Sequence, residues 1–127
     1  MRLTIQHRLP FVTLTVTHRG LSLDVAGVLV DTGSASTVLD ADIVGEIGIL
    51  ARDGGNVRKL HGIGGREDVF EYQVDRVEVG GRALEPFVIE IGAEDYGYGI
   101  NGILGMDFMV AAGAMIDLHV LELGFAA

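Results

Sequence analysis

The stretch Val28-Leu29-Val30-Asp31-Thr32-Gly33-Ser34-Ala35-Ser36-Thr37-Val38-Leu39 sets one carboxylate between two apolar runs. Val28 to Val30 read as the end of a strand, and Thr37 to Leu39 as a short strand leading away. Between them, Asp-Thr-Gly is turn chemistry: Asp caps its own backbone, and Gly permits a positive φ. An apolar strand that delivers an acid to a tight turn holds that acid on a rigid support. The three turn residues alone mean no more than a turn, so the meaning of Asp31 depends on the chain around it.

Upstream, residues 11–18 alternate, with Val12, Leu14 and Val16 on one face. Arg19-Gly20 predicts a tight turn, and Leu21 to Val30 the returning strand, with a bulge at Gly27. Downstream, Asp40 is placed to cap a helix over 41–47, with Ile43 and Ile47 inward and Gly48 as its stop. Residues 51–56 are a polar loop.

Val57 to His61 lead into Gly62-Ile63-Gly64-Gly65, and Arg66 to Val79 return as one long alternating strand. Gly80-Gly81 is a hairpin turn, followed by a strand over 83–91 with Phe87, Ile89 and Ile91 on one face. Gly102-Ile103-Leu104-Gly105-Met106-Asp107-Phe108-Met109 then predicts a buried strand running into a short helix, and 116–118 and 120–123 the closing strands. Asp117 reads as a turn or strand-end residue.

Gly97-Tyr98-Gly99-Ile100-Asn101-Gly102 matches the dinucleotide fingerprint letter by letter, and Glu122 lies at the required distance. The mechanism also needs a long helix and a further parallel strand, for which too little chain remains. His7, His18, His61 and His119 show no metal-ligand spacing, and neither a metal nor a cofactor is expected.

The 127 residues predict a single domain over 1–127. Nineteen glycines, about twice the usual share, with 2 prolines read as turns and bulges in an all-β chain. The net charge of −9 argues against a nucleic-acid surface, and the absence of cysteine excludes disulfides and thiolate chemistry. The N-terminal ten residues lack the apolar core of a signal peptide, and no run is long enough to span a membrane. A cytoplasmic location is expected of a complete chain, and membrane association remains open for a longer precursor.

Three of these stretches together resemble the retropepsin-like aspartic peptidases, over about residues 28–109. The Asp loop is similar to their hydrophobic-hydrophobic-Asp-Thr-Gly-Ser, the Gly62–Gly65 hairpin to their flap, and Ile103-Leu104-Gly105 to the segment that braces their catalytic loop. The resemblance implies a closed, barrel-like lobe with a flap hairpin and one short C-terminal helix. It further implies a homodimeric endopeptidase with one catalytic Asp31 per chain, acting on a peptide or protein substrate. Thr32 would then lock the two loops together, Gly33 would meet substrate backbone, and Ser34 would hydrogen-bond the carboxylate. Glycines 62, 64 and 65 would donate backbone hydrogen bonds to substrate, with Ile63 covering the site. Ile63, Val38, Leu39 and Ile103 would form an apolar lining and favour hydrophobic residues around the scissile bond. Retroviral members commonly carry acidic residues after the fourth loop position and an Arg after the last Gly. Ala35, Ser36 and Met106 stand there instead, which predicts a different contact between subunits. The alternative is a catalytically silent retropepsin-like module for dimerisation or peptide binding.

Overall fold

The computed structural model describes residues 1–50, 57–62, 65–92, 97 and 99–127, with backbone alone over 57–62 and 65–68. Arg19 and Gly20 both take positive φ, 51° and 79°, and join β2 (Leu9–His18) to β3 (Leu21–Val30). His18 lies opposite Leu21, so the loop has two residues, and its twist matches that of the strands. Val12, Leu14 and Val16 of β2 are buried on one face, beside Val25 and Val28 of β3. The expected bulge is present. Ala26 and Gly27 of β3 oppose a single residue of β2, and Gly27 takes φ 70°.

Two elements depart from the expected single strands. The stretch 66–79 divides into β6 (Gly65–Val74) and β7 (Arg76–Val79), which pair with different neighbours. Burial alternates on even numbers through Tyr72 and Val74, then on odd numbers through Val77 and Val79, so the chain turns a corner at Asp75. The Asp75 carboxylate accepts the Arg19 N–H at 2.8 Å and ties that corner to the β2–β3 turn. The stretch 83–91 divides into β8 (Arg82–Leu84) and β9 (Phe87–Gly92) around Pro86, which lacks a ladder donor. A short β1 (Thr4–Gln6), not expected from the sequence, pairs with the start of β2.

Among the described residues the main sheet has ten strands. With β4 (Val38–Asp40), β5 (Val57–Gly62) and β10 (Gly102–Leu104), its path runs β5-β6-β9-β4-β10-β3-β2-β7-β8, and β1 joins β2. The described ladders do not join β5 to β8, so the pairing stops short of the expected closed barrel. After β4, Asp40 Oδ1 accepts the Asp42 and Ile43 N–H groups and starts α1 (Ala41–Val44). A 3-10 turn over Gly45–Ile47 follows, and Gly48 ends it at φ 82°. The expected helix over 41–47 is therefore two short pieces.

The second helix, α2 (Met106–Ala112), is pinned by Phe108, which is fully buried with its ring edge-on to Phe87 and Phe125. Removing such a ring leaves a cavity and costs about 3–5 kcal/mol. The chain closes with β11 (Ala114–Asp117) and β12 (Glu122–Phe125), a separate antiparallel pair. Asp117 ends β11 and accepts the N–H groups of His119 and Val120, as a strand-end residue should. No helix among the described residues is long and apolar enough to cross a membrane.

Candidate active site

The strand that feeds the Asp loop is held on both edges. β3 pairs with β2 on one side and runs parallel to β10 on the other, with Val28 opposite Gly102 and Val30 opposite Leu104. β10 also pairs antiparallel with β4, the strand that leaves the loop. One short strand therefore sits between the two arms of the loop and fixes their separation. Gly102 is needed there, because a Cβ would lie 2.8 Å from the Val38 carbonyl.

Asp31 is half-buried at the end of β3. Its N–H donates to the Leu104 carbonyl at 3.0 Å, and its carbonyl accepts the Ser34 N–H. Its Oδ1 accepts the Gly33 N–H at 2.8 Å, which orients the carboxylate within its own turn. That bond commits the Gly33 N–H. Thr32 and Gly33 are exposed. Ser34 differs from expectation: its hydroxyl donates to the Ser36 carbonyl at 2.8 Å rather than to the Asp31 carboxylate. A serine hydroxyl has one proton, and the nearest strong acceptor takes it.

Gly105 makes the closest approach. A Cβ at this position would meet Ser36 backbone at 2.3 Å, so only glycine lets the chain pass the loop. Next to it, the N–H groups of Met106 and Asp107 donate to the carbonyls of Ser34 and Ala35. Ile103, Leu104 and Gly105, expected to brace the loop, thus run along it from Asp31 to Ser36.

Sequence reading missed the polar knot beneath. Thr37, completely buried, donates its hydroxyl to Asp107 Oδ1 at 2.7 Å and accepts the Gly105 N–H at 3.1 Å. The other Asp107 oxygen accepts the Thr37 N–H. Buried Thr37 and half-buried Asp107 satisfy each other and the N–H groups of Thr37, Gly105 and Phe108, a connected network that rigidifies its surroundings. The two residues are 70 positions apart, and a polar residue inside each apolar run was the only local sign.

Val38 and Leu39, expected to line a cleft, are fully buried core residues. β4 lies between β9 and β10, and its apolar pair fills the interior. Ile103 is half-buried. The flap hairpin exists as backbone: β5 and β6 pair antiparallel, with Gly62 opposite Gly65. Ile63 and Gly64 lie outside the described residues. The base of the hairpin is joined through β9 to β4, and so to the Asp31 loop. The fingerprint-like stretch ends directly in β10, with no helix after its glycines, and its Asn101 bonds the carbonyl of Ala26. Among the described residues no three His, Asp or Glu groups are placed to hold a metal ion.

The sequence profile of the family described as aspartyl protease matches residues 14–108. A search of curated proteins found no match. Among solved structures, the chain is similar to a retropepsin-like aspartic protease from Rickettsia conorii, with a TM-score of 0.67 and 15% identity. That likeness covers 91% of this chain and 82% of the other, and at this identity it speaks to the fold. The matched span holds the Asp31 loop, the Gly62–Gly65 hairpin and the β10 brace, and the chain belongs to the aspartyl protease family, with a retropepsin-like, mostly β fold.

Proposed function

We propose that this chain is an aspartic endopeptidase that works as a homodimer, with one Asp31 from each subunit. The observation that carries this reading is the support of Asp31. Its carboxylate is aimed by Gly33, and its backbone is held by Leu104 on a strand locked between both arms of the loop. The chain holds one Asp-Thr-Gly, and peptide hydrolysis by carboxylates alone needs two acids sharing a proton. A second subunit supplies the other acid.

In the pair, one Asp31 is ionised and the other protonated, because like charges so close do not both ionise. The ionised carboxylate takes a proton from water as the water oxygen attacks the peptide carbonyl carbon. The protonated partner donates to the carbonyl oxygen. Collapse of the tetrahedral intermediate then breaks the C–N bond as a proton passes to the leaving nitrogen. Thr32, exposed beside Asp31, meets its counterpart across the two-fold axis, and the Gly33 carbonyl accepts from the substrate backbone. The Gly62–Gly65 hairpin closes over the bound peptide. Of the residues expected to favour hydrophobic side chains, only Ile103 among those described supports that preference.

The test is incubation of the protein and of Asp31→Asn with a diverse peptide library from about pH 3.5 to 7, a range spanning coupled carboxylates. Products are read by mass spectrometry. Asn retains an oxygen to accept the Gly33 N–H, so the variant should fold. Cleavage by the wild type alone is expected, with a loss of at least about 10²–10⁴-fold for removal of the proton-transfer group. No cleavage by either protein, at concentrations where light scattering shows a dimer, would instead favour the silent binding module.

A further inference from the structure

Away from the Asp31 loop, the β2–β3 turn and the β6–β7 corner enclose one histidine. His18, the last residue of β2, is 9% exposed, and its ring stands edge-on to buried Tyr72 of β6, with 5.3 Å between centroids. Its Nε2 lies 3.3 Å from the Tyr72 hydroxyl. Its Nδ1 is buried and makes no hydrogen bond among the described residues, although Asp75 Oδ1 stands 3.7 Å away. The other oxygen of that carboxylate takes the Arg19 N–H. A buried nitrogen without a bond is costly, and here an acceptor waits about half an ångström beyond bonding range. The strands around the ring add no competing carboxylate: β3 places Leu21 opposite His18. Arg19 is exposed in the turn, and Arg76 of β7, opposite Thr17, is engaged by Glu78 and Glu85.

We propose that His18, Tyr72 and Asp75 form a proton-operated clasp at the root of the hairpin made by β5 and β6. A neutral imidazole has one N–H, whereas the protonated ring has two. On taking up a proton, His18 donates from Nε2 to the Tyr72 oxygen and from Nδ1 to Asp75 Oδ1. The opposite charges draw the carboxylate across the remaining gap. Tyr72 belongs to β6, the returning strand of the hairpin, and Asp75 is the corner at which that strand ends. The closed clasp therefore ties the strand to the end of β2, and the open one holds it by Tyr72 alone. Its stabilisation is fully present below the ordinary imidazole range, about pH 6.5, and is lost as pH rises through that range. On the acid side it fades as Asp75 takes a proton, at about pH 4. The Asp75 side chain is 62% exposed, so solvent screens the pair and keeps the effect small. The clasp requires neither a second subunit nor peptidase activity.

Urea unfolding of the wild type, His18→Phe and Asp75→Asn at about pH 5 and about pH 8 tests the clasp. Phe keeps a ring against Tyr72 but takes no proton, and Asn keeps an oxygen for the Arg19 N–H. Taking the ratio of wild-type to variant folding constants cancels the titration of the other histidines. That ratio should be larger at the lower pH by a factor of about two to five, the range for a partly exposed pair. Native-state hydrogen exchange should show the same change at the β6 amides beside Tyr72, which a uniform change in stability would not single out. The wild type alone supplies a second measurement by nitrogen-15 NMR of its imidazoles. At the lower pH the His18 Nδ1 proton should exchange slowly, held by Asp75. A ratio that is the same at both pH values, or larger at the higher one, would overturn the clasp. So would an Nδ1 proton that exchanges as fast as that of a free imidazole.

Discussion

The two sides of the Asp31 loop are built differently. The inward side, against β10 and the start of α2, is saturated: Asp31, Ser34, Ala35, Ser36 and Thr37 all have partners within the chain. The outward side, Thr32 with Met106, Val110 and Ile116, offers apolar surface and no charge. Fixing a backbone costs about 1–2 kcal/mol per residue in entropy, and the inward bonds meet that cost before any ligand arrives. On the proposed homodimer reading, a loop rigid on one side and unfinished on the other is half of a site, with its position already set.

The contrast can be broken most severely at Gly105. In Gly105→Ala the methyl group would meet the Ser36 carbonyl at 2.3 Å, and backbone rather than a flexible side chain must move. We expect a loss of about 3 kcal/mol or more in urea unfolding, together with loss of cleavage. Next comes Thr37→Val, which keeps the shape but strips the Gly105 N–H of its partner and takes one of two donors from Asp107 Oδ1, the Phe108 N–H remaining. A cost of about 2 kcal/mol is expected by the same measurement. Ser34→Ala removes one hydroxyl–carbonyl bond and should cost about 1 kcal/mol. It should also leave the acid limb of the cleavage pH profile in place, because the Ser34 proton is given to Ser36. A marked shift of that limb would mean that the hydroxyl turns to the carboxylate in the working enzyme. The smallest effect belongs to the outward side. Val110→Asp, measured at dilutions where the chain is monomeric, should change unfolding by no more than about 0.5 kcal/mol.

The same division governs what the sequence disclosed. Turns set by backbone conformation were readable: Arg19-Gly20 and Gly80-Gly81 close two-residue hairpins, and Gly27 marks the bulge. Gly105 was readable by its place between an apolar pair and a helix. Partner choice was not. The sequence does not decide whether the Ser34 hydroxyl turns to a carboxylate or, as it does, to the Ser36 carbonyl. Thr37 and Asp107 meet only because β10 carries distant chain between β3 and β4. Val38 and Leu39 were expected to line a cleft, but β4 is an interior strand paired with β9 on one edge and β10 on the other, and both side chains are fully buried, as in strands buried on both faces. The corner at Asp75 did leave a trace, because the apolar positions change parity between Val74 and Val77.

The most direct test of the half-site account is subunit mixing. Wild-type chain at fixed concentration is titrated with folded Asp31→Asn chain, and cleavage of one peptide found in the library assay is followed. If each active site needs one Asp31 from each chain, mixed pairs are inactive, and activity should fall steadily as the variant draws wild-type subunits into them. Activity that stays constant at a large excess of the variant would mean that a single chain carries a complete site, and would contradict the account.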